Sequence, residues 1–217
     1  NGPNDLVMDG HGGFWFTCYG QTDNEVRRLG GLYYARADGS QITRWRSAQY
    51  SPNGVGLSPD GKRLVFAYDP APEKRMDGRF ALAELDLKRG RFETVAQDIG
   101  WDFNHPRYSP DGSRIAFTAS HQAIKHTMPA QLAVVTPGQP VEVVSAEWDH
   151  AVNAPLLWED DGQSLLFTAE QQGQCHLWRF DLADRRDAHV ACRAAQRAAQ
   201  LLDRLDREAD RHQLGAD

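Results

Sequence analysis

A short string returns at a nearly fixed interval along this chain. Ser58-Pro59-Asp60-Gly61-Lys62-Arg63-Leu64-Val65-Phe66 recurs as Ser109-Pro110-Asp111-Gly112-Ser113-Arg114-Ile115-Ala116-Phe117, and more loosely as Glu159-Asp160-Asp161-Gly162-Gln163-Ser164-Leu165-Leu166-Phe167. A degenerate copy is His11-Gly12-Gly13-Phe14-Trp15-Phe16, and the glycines at 12, 61, 112 and 162 stand 49, 51 and 50 residues apart. A period of about 40–50 residues is that of propeller blades, units that cannot bury their apolar faces alone and must stack on neighbours.

Each copy carries the chemistry of a β-hairpin. Asp-Gly between two apolar runs favours a tight turn, because glycine accepts the positive φ such turns require. The run before the turn (Gly54-Val55-Gly56-Leu57) reads as the inner strand of a blade, and the run after it as the next strand, with side chains alternating between faces. A second hairpin follows in each unit, at Asp38-Gly39, at Arg89-Gly90 and at Pro137-Gly138. His176-Leu177-Trp178-Arg179-Phe180 opens a fourth, with no obvious return strand. The fold class is therefore all-β: a β-propeller of about four four-stranded blades, near 4–46, 50–97, 104–146 and 152–187.

From 188 to 214 the character changes. No Pro or Gly interrupts the segment, and Ala191, Ala194, Ala195, Ala198, Leu201, Leu202, Leu205 and Ala209 fall at steps of three and four. That spacing predicts a C-terminal amphipathic helix over 188–217, with Asp187 as N-cap. Its Ala/Leu stripe suits packing on its own chain or on a second copy. With 24 Lys+Arg against 30 Asp+Glu and a net charge of -6, the chain lacks the basic stripe a nucleic-acid partner would need. No apolar run reaches the roughly 20 residues of a membrane span, and no leader sequence is evident. The opening Asn1-Gly2-Pro3-Asn4 reads as an internal stretch of something longer. Cys18, Cys175 and Cys192 are too far apart for a zinc or redox motif.

Two families are resembled, on different parts of the chain. Residues 1–57 resemble the calcium-dependent gluconolactonase/senescence-marker-protein lactonases. The carrying strings are Asn1-Gly2-Pro3-Asn4-Asp5, Gly12-Gly13-Phe14-Trp15-Phe16-Thr17, Gly30-Gly31-Leu32-Tyr33-Tyr34 and Pro52-Asn53-Gly54-Val55-Gly56-Leu57. The resemblance implies a six-bladed propeller, with Asn53 as metal ligand and Asn4 and Asp5 facing substrate. The family's other metal ligands, a glutamate and an aspartate, have no counterpart here. Calcium takes six to eight oxygens, so the site reads as incomplete, with no cofactor, or weak calcium at most. Residues 58–187 resemble instead the propeller of prolyl-oligopeptidase-family serine peptidases, through Asp69-Pro70-Ala71-Pro72, Ala81-Leu82-Ala83-Glu84-Leu85, His105-Pro106-Arg107-Tyr108-Ser109-Pro110-Asp111-Gly112 and Leu166-Phe167-Thr168-Ala169-Glu170. Gly162-Gln163-Ser164-Leu165-Leu166, the nearest string to a nucleophile elbow, lacks the last glycine and sits in a blade turn. The string both families share, residues 58–61, marks the expected junction of a designed or recombined chimera.

Among other candidates, His121 and His126 suggest loop histidines before a metal pair. Trp148-Asp149-His150 and Trp101-Asp102-Phe103-Asn104-His105 start blades, where an Asp/His pair could move protons or merely satisfy a polar junction. Trp15, Tyr33, Tyr34 and Trp178 at strand spacing predict inter-blade packing. No catalytic residue is assigned. The expected protein is a non-catalytic propeller scaffold that pairs with itself through blade edges and its C-terminal helix. The alternatives are a calcium-dependent lactone hydrolase and a substrate-gating or protein-binding peptidase module.

Overall fold

In a computed structural model, residues 2–20, 29–71, 79–124 and 126–189 are described. They form four antiparallel sheets. The first contains β1 (Pro3–Met8), β2 (Gly13–Cys18), β3 (Gly30–Arg36) and residues 42–49 of the long β4 (Ile42–Leu57). Residues 50–57 of β4 then open the second, with β5 (Arg63–Asp69), β6 (Ala81–Asp86) and β7 (Phe92–Ala96). The third is β8 (Trp101–Tyr108), β9 (Ile115–His121), β10 (Gln131–Val135) and β11 (Glu142–Val143), and the fourth β12 (Asn153–Trp158), β13 (Ser164–Gln171), β14 (Gln174–Asp181) and β15 (Arg186–His189). Each sheet is a blade whose strands pair in chain order, and the inner strands pack side by side in the order β1, β4, β8, β12.

Alternation explains the stacking. On β5, Leu64 and Phe66 face the first blade and Val65 and Ala67 the third, so all four are fully buried. Three apolar layers result, one between each pair of successive blades. Trp15, Val55 and Phe66 lie in the first, Phe103, Phe117 and Val65 in the second, and Leu156, Phe167 and Trp178 in the third.

The recurring turn is built alike in three blades. Ser58, Ser109 and Glu159 donate their amides to the carbonyls of Arg63, Arg114 and Ser164, around Gly61, Gly112 and Gly162 at φ of 68°, 69° and 64°. Arginines that close this turn, Arg63 at the first position of β5 and Arg114 just before β9, staple neighbouring blades. Arg63 donates to the Gly112 carbonyl (3.1 Å) and to Glu84 (3.2 Å), which also accepts the Tyr108 hydroxyl (2.8 Å). Arg114 likewise reaches the Gly162 carbonyl and lies over the Trp158 ring.

Within the third-blade turn, the Ser109 hydroxyl, the Ser113 amide and the Ser113 hydroxyl hold the exposed Asp111 carboxyl down to about 2, from an ordinary 3.8. A depressed carboxyl stabilises the fold fully above its unfolded pKa, and that contribution is lost as pH falls through the folded value. Urea midpoints should therefore drop more between pH 4 and pH 2 in the parent than in Asp111→Asn; equal drops would show the turn carboxylate is not acid-sensitive.

Several details depart from the sequence reading. In the first blade Asp9 donates its amide to Gly13, so Gly13, not residue 14, stands where Arg63 and Arg114 stand. That turn is one residue shorter than the glycine alignment implied. The fourth blade does have an outer strand, β15, pairing Asp187 with Phe180 and His189 with Trp178. Asp187 is thus a strand residue, not a helix cap, and the strand runs on past the expected boundary at 187. The rest of the expected helix, 190–217, lies outside the described residues. The third blade's outer strand is only two residues long, because the Ser145 hydroxyl takes the Leu132 amide while Val144 donates to the Leu132 carbonyl. No helix among the described residues is long and apolar enough to cross a membrane.

Candidate functional site

The first turn of each inner strand brings polar groups together where the blades converge. Ladder register places Asn53 opposite Ala67, Asn104 opposite Thr118 and Asn153 opposite Thr168, each beside an irregularity in the pairing. Asn4 holds the matching place in blade 1. Every blade thus contributes one asparagine at the same level.

The three residues singled out in sequence do meet. The Asn4 side-chain amide donates to Asn53 Oδ1 at 2.8 Å, and the Gly54 amide donates to the same oxygen at 2.8 Å. One Asp5 carboxylate oxygen accepts the Leu6 amide at 2.9 Å, and the other accepts the Val55 amide at 3.0 Å. Asp5 therefore ties blade 1 to blade 2.

Two further residues complete the cluster. The Arg107 guanidinium lies 3.9 Å from the Asp5 carboxylate and donates to the carbonyls of Val55 (3.0 Å) and Pro106 (2.8 Å). His105 shares a hydrogen bond with the Thr118 hydroxyl at 3.1 Å and sits at a φ of 55°. Such a left-handed backbone is uncommon outside glycine, and it is set here by close packing. A Cβ on Gly54 would come within 3.0 Å of the His105 nitrogen, and one on Gly56 within 2.8 Å of the Pro106 carbonyl. Burial lowers the pKa of both His105 and Arg107, and the Asp5 charge opposes the shift in each. His105 is thus held as the neutral imidazole near neutral pH.

As a metal site the set fits poorly. A divalent cation needs several free oxygens, yet Asn53 Oδ1 already accepts two hydrogen bonds and both Asp5 oxygens accept amides. The adjacent guanidinium adds a fixed positive charge. Among the described residues, no three His, Cys, Asp or Glu side chains converge as a metal-binding group.

The remaining candidates are dispersed. His121 packs edge-on against Trp101 at 5.1 Å, whereas His126 is exposed. Asp102 accepts the Phe80 amide at 2.7 Å, a junction role. Asp149 and His150 do approach (3.2 Å), with the imidazole beside the rings of Trp148 and Trp178 and the carboxylate exposed to solvent. Trp15, Tyr34 and Trp178 pack between blades as expected, but Tyr33 stacks on Phe16 at 5.1 Å on the outward face of blade 1. Arg107 was missed as a site residue because its role depends on two other blades. Running the repeat alignment five residues further upstream brings Asn4, Asn53 and Asn104 into one column, whereas Asn153 falls one residue out of it, so the fourth member is visible only in the strand register.

These features define a β-propeller with a polar cluster where its inner strands converge. Residues 1–77, roughly a third of the chain, match the SMP-30/Gluconolactonase/LRE-like region. Among solved structures, TolB from Acinetobacter baumannii is similar at 18% identity and a TM-score of 0.59, over 86% of this chain and 43% of that one. An oligogalacturonate lyase from Vibrio parahaemolyticus gives 17%, 0.58, 85% and 51% for the same measures, and a prolyl endopeptidase 14%, 0.55, 87% and 29%. At such identities the likeness is one of fold, and the chain spans about half the length of TolB and the lyase or less. No curated protein sequence matches it.

Proposed function

We propose that this chain is a non-catalytic β-propeller scaffold whose lactonase-like cluster has been converted into a structural clamp. The observation that carries this reading is the Arg107–Asp5 contact. It sets a guanidinium against the Asp5 carboxylate, while the amide oxygen of Asn53 is itself occupied. The family match over 1–77 supports a lactonase ancestry for the first part. Likeness to TolB and prolyl endopeptidase structures extends over most of the chain, the first part included, and is one of fold. The family match runs on to residue 77, past the 58–61 turn where the two resemblances meet in the sequence, so it gives no support to a junction at that turn.

Calorimetric titration with calcium, alongside an assay of lactone hydrolysis, tests the reading. The expected result is binding no tighter than about 1 mM, the weak end of protein calcium sites, and hydrolysis at the buffer rate. Tight calcium binding that disappears in Asn53→Ala, together with turnover, would establish the calcium-dependent lactone hydrolase instead.

A further inference from the structure

The two end blades present faces that the inner blades bury. In blade 2, the face turned toward blade 1 carries Val55, Leu64 and Phe66, all fully buried. Ladder register gives blade 1 the same face: Leu6 stands opposite Phe16 as Val55 stands opposite Phe66, and Met8 opposite Phe14 as Leu57 opposite Leu64. Here, however, nothing in the described chain covers it. Leu6 and Met8 are each 49% exposed and Ile42 is 70% exposed, while Phe14, Phe16 and Tyr33 are half-buried and belong to none of the three apolar layers.

Blade 4 shows the reverse. Its face turned away from blade 3 carries Leu166, Thr168 and Leu177, in the register positions of Val65, Ala67 and Leu82 of blade 2. Those three residues of blade 2 are fully buried beneath blade 3, whereas Leu166, Thr168 and Leu177 are half-buried and also outside the apolar layers. The outward face of blade 4 is thus of the kind that receives a following blade, and that of blade 1 is the kind a following blade presents. Among the described residues, no contact comparable to those between successive inner strands joins β12 to β1.

We propose that two copies of this chain pair head to tail, the blade 4 face of each seated on the blade 1 face of the other, to close one ring. The area decides between a closed pair and an open chain of copies. Four strands at about 4.8 Å spacing and six residues at about 3.3 Å rise give roughly 400 Å² per blade face. A closed pair engages both faces of each copy, about 800 Å² per partner, the size of a standard stable interface. A single junction supplies half of that and falls among weak contacts. Closure also leaves no unsatisfied heterologous surface to propagate into filaments, and eight blades is within the range propellers adopt.

Light scattering and sedimentation over a concentration series test this on the full chain. The parent should run at twice the chain mass. Ile42→Lys, at an exposed position where folding is not at stake, and Leu166→Lys should each be monomeric with unchanged circular dichroism; Thr168→Lys serves if Leu166→Lys fails to fold. Mixing the blade 1 variant with the blade 4 variant leaves one intact junction, so the mixture should associate weakly toward twofold mass as concentration rises, where neither variant alone associates. A monomeric parent overturns the proposal. So does a blade 4 variant that stays dimeric while Ile42→Lys does not, since blade 1 would then pair with itself, and so does a mixture that associates no more than either variant alone at the highest concentration.

Discussion

Replacing Phe117 with alanine should remove about 3–5 kcal/mol of folding stability, the range for truncating a fully buried aromatic side chain. Phe117 has no exposed surface and meets Phe103 edge-on at 4.9 Å, in the layer that joins blades 2 and 3. The inner strands are in backbone contact at Gly54 and Gly56, so the walls of the resulting cavity cannot simply close in. Because a domain's net stability is only about 5–15 kcal/mol, the variant should unfold at a much lower urea concentration. Phe117→Leu keeps most of the volume and should cost no more than about 1.5 kcal/mol. Phe16→Ala, on the outward face of blade 1, should cost the folded single chain less than Phe117→Ala, because Phe16 is only half-buried. Urea titrations read by tryptophan fluorescence measure all three. A loss below about 1 kcal/mol for Phe117→Ala, the centre of the distribution for ordinary point changes, would mean that blades 2 and 3 are not packed through this layer.

What could be read in the sequence was whatever is encoded locally. The Asp-Gly turns and the alternating runs around them are signals a few residues long, and they give an all-β propeller because each hairpin needs only its own neighbours to form. The strand after the first turn was misaligned by one residue, since two glycines adjoin there: Gly12 takes the positive φ of the turn (82°) and Gly13 already accepts the Asp9 amide. β15 was hidden because Arg186-Asp187-Ala188-His189 has no apolar alternation; its pairing with β14 is imposed by the preceding turn. Asn4 and Asn53, to which the family motifs gave separate roles, touch each other. The residue that changes the chemical meaning of that contact comes from another part of the repeat. Nothing around His105-Pro106-Arg107 in sequence indicates that its guanidinium lies against Asp5 and the Val55 carbonyl.

Arg107 is accordingly the most informative residue to change at the site. Truncation to alanine leaves the Val55 carbonyl without its guanidinium donor and removes the positive charge beside Asp5. Losing a charged donor from partly buried acceptors costs about 2–4 kcal/mol in total. The ion pair is a minor share of it. Asp5 and Arg107 are 29% and 26% exposed and 3.9 Å apart, a geometry for which solvent screening leaves roughly 1 kcal/mol or less. A double-mutant cycle with Asp5→Asn should return a coupling of that size, with the remainder of the loss appearing in Arg107→Ala alone. Lysine in its place is a point charge without the planar fork that serves Val55 and Pro106 together, so Arg107→Lys should fall between parent and alanine. The clamp reading makes a second demand on the same variant. With the guanidinium gone, Asp5 faces no fixed cation, and calcium affinity at the cluster should rise above that of the parent. If Arg107→Ala binds calcium no better and loses less than about 1 kcal/mol, Arg107 neither holds the blades together nor blocks the site, and the scaffold reading loses its physical basis.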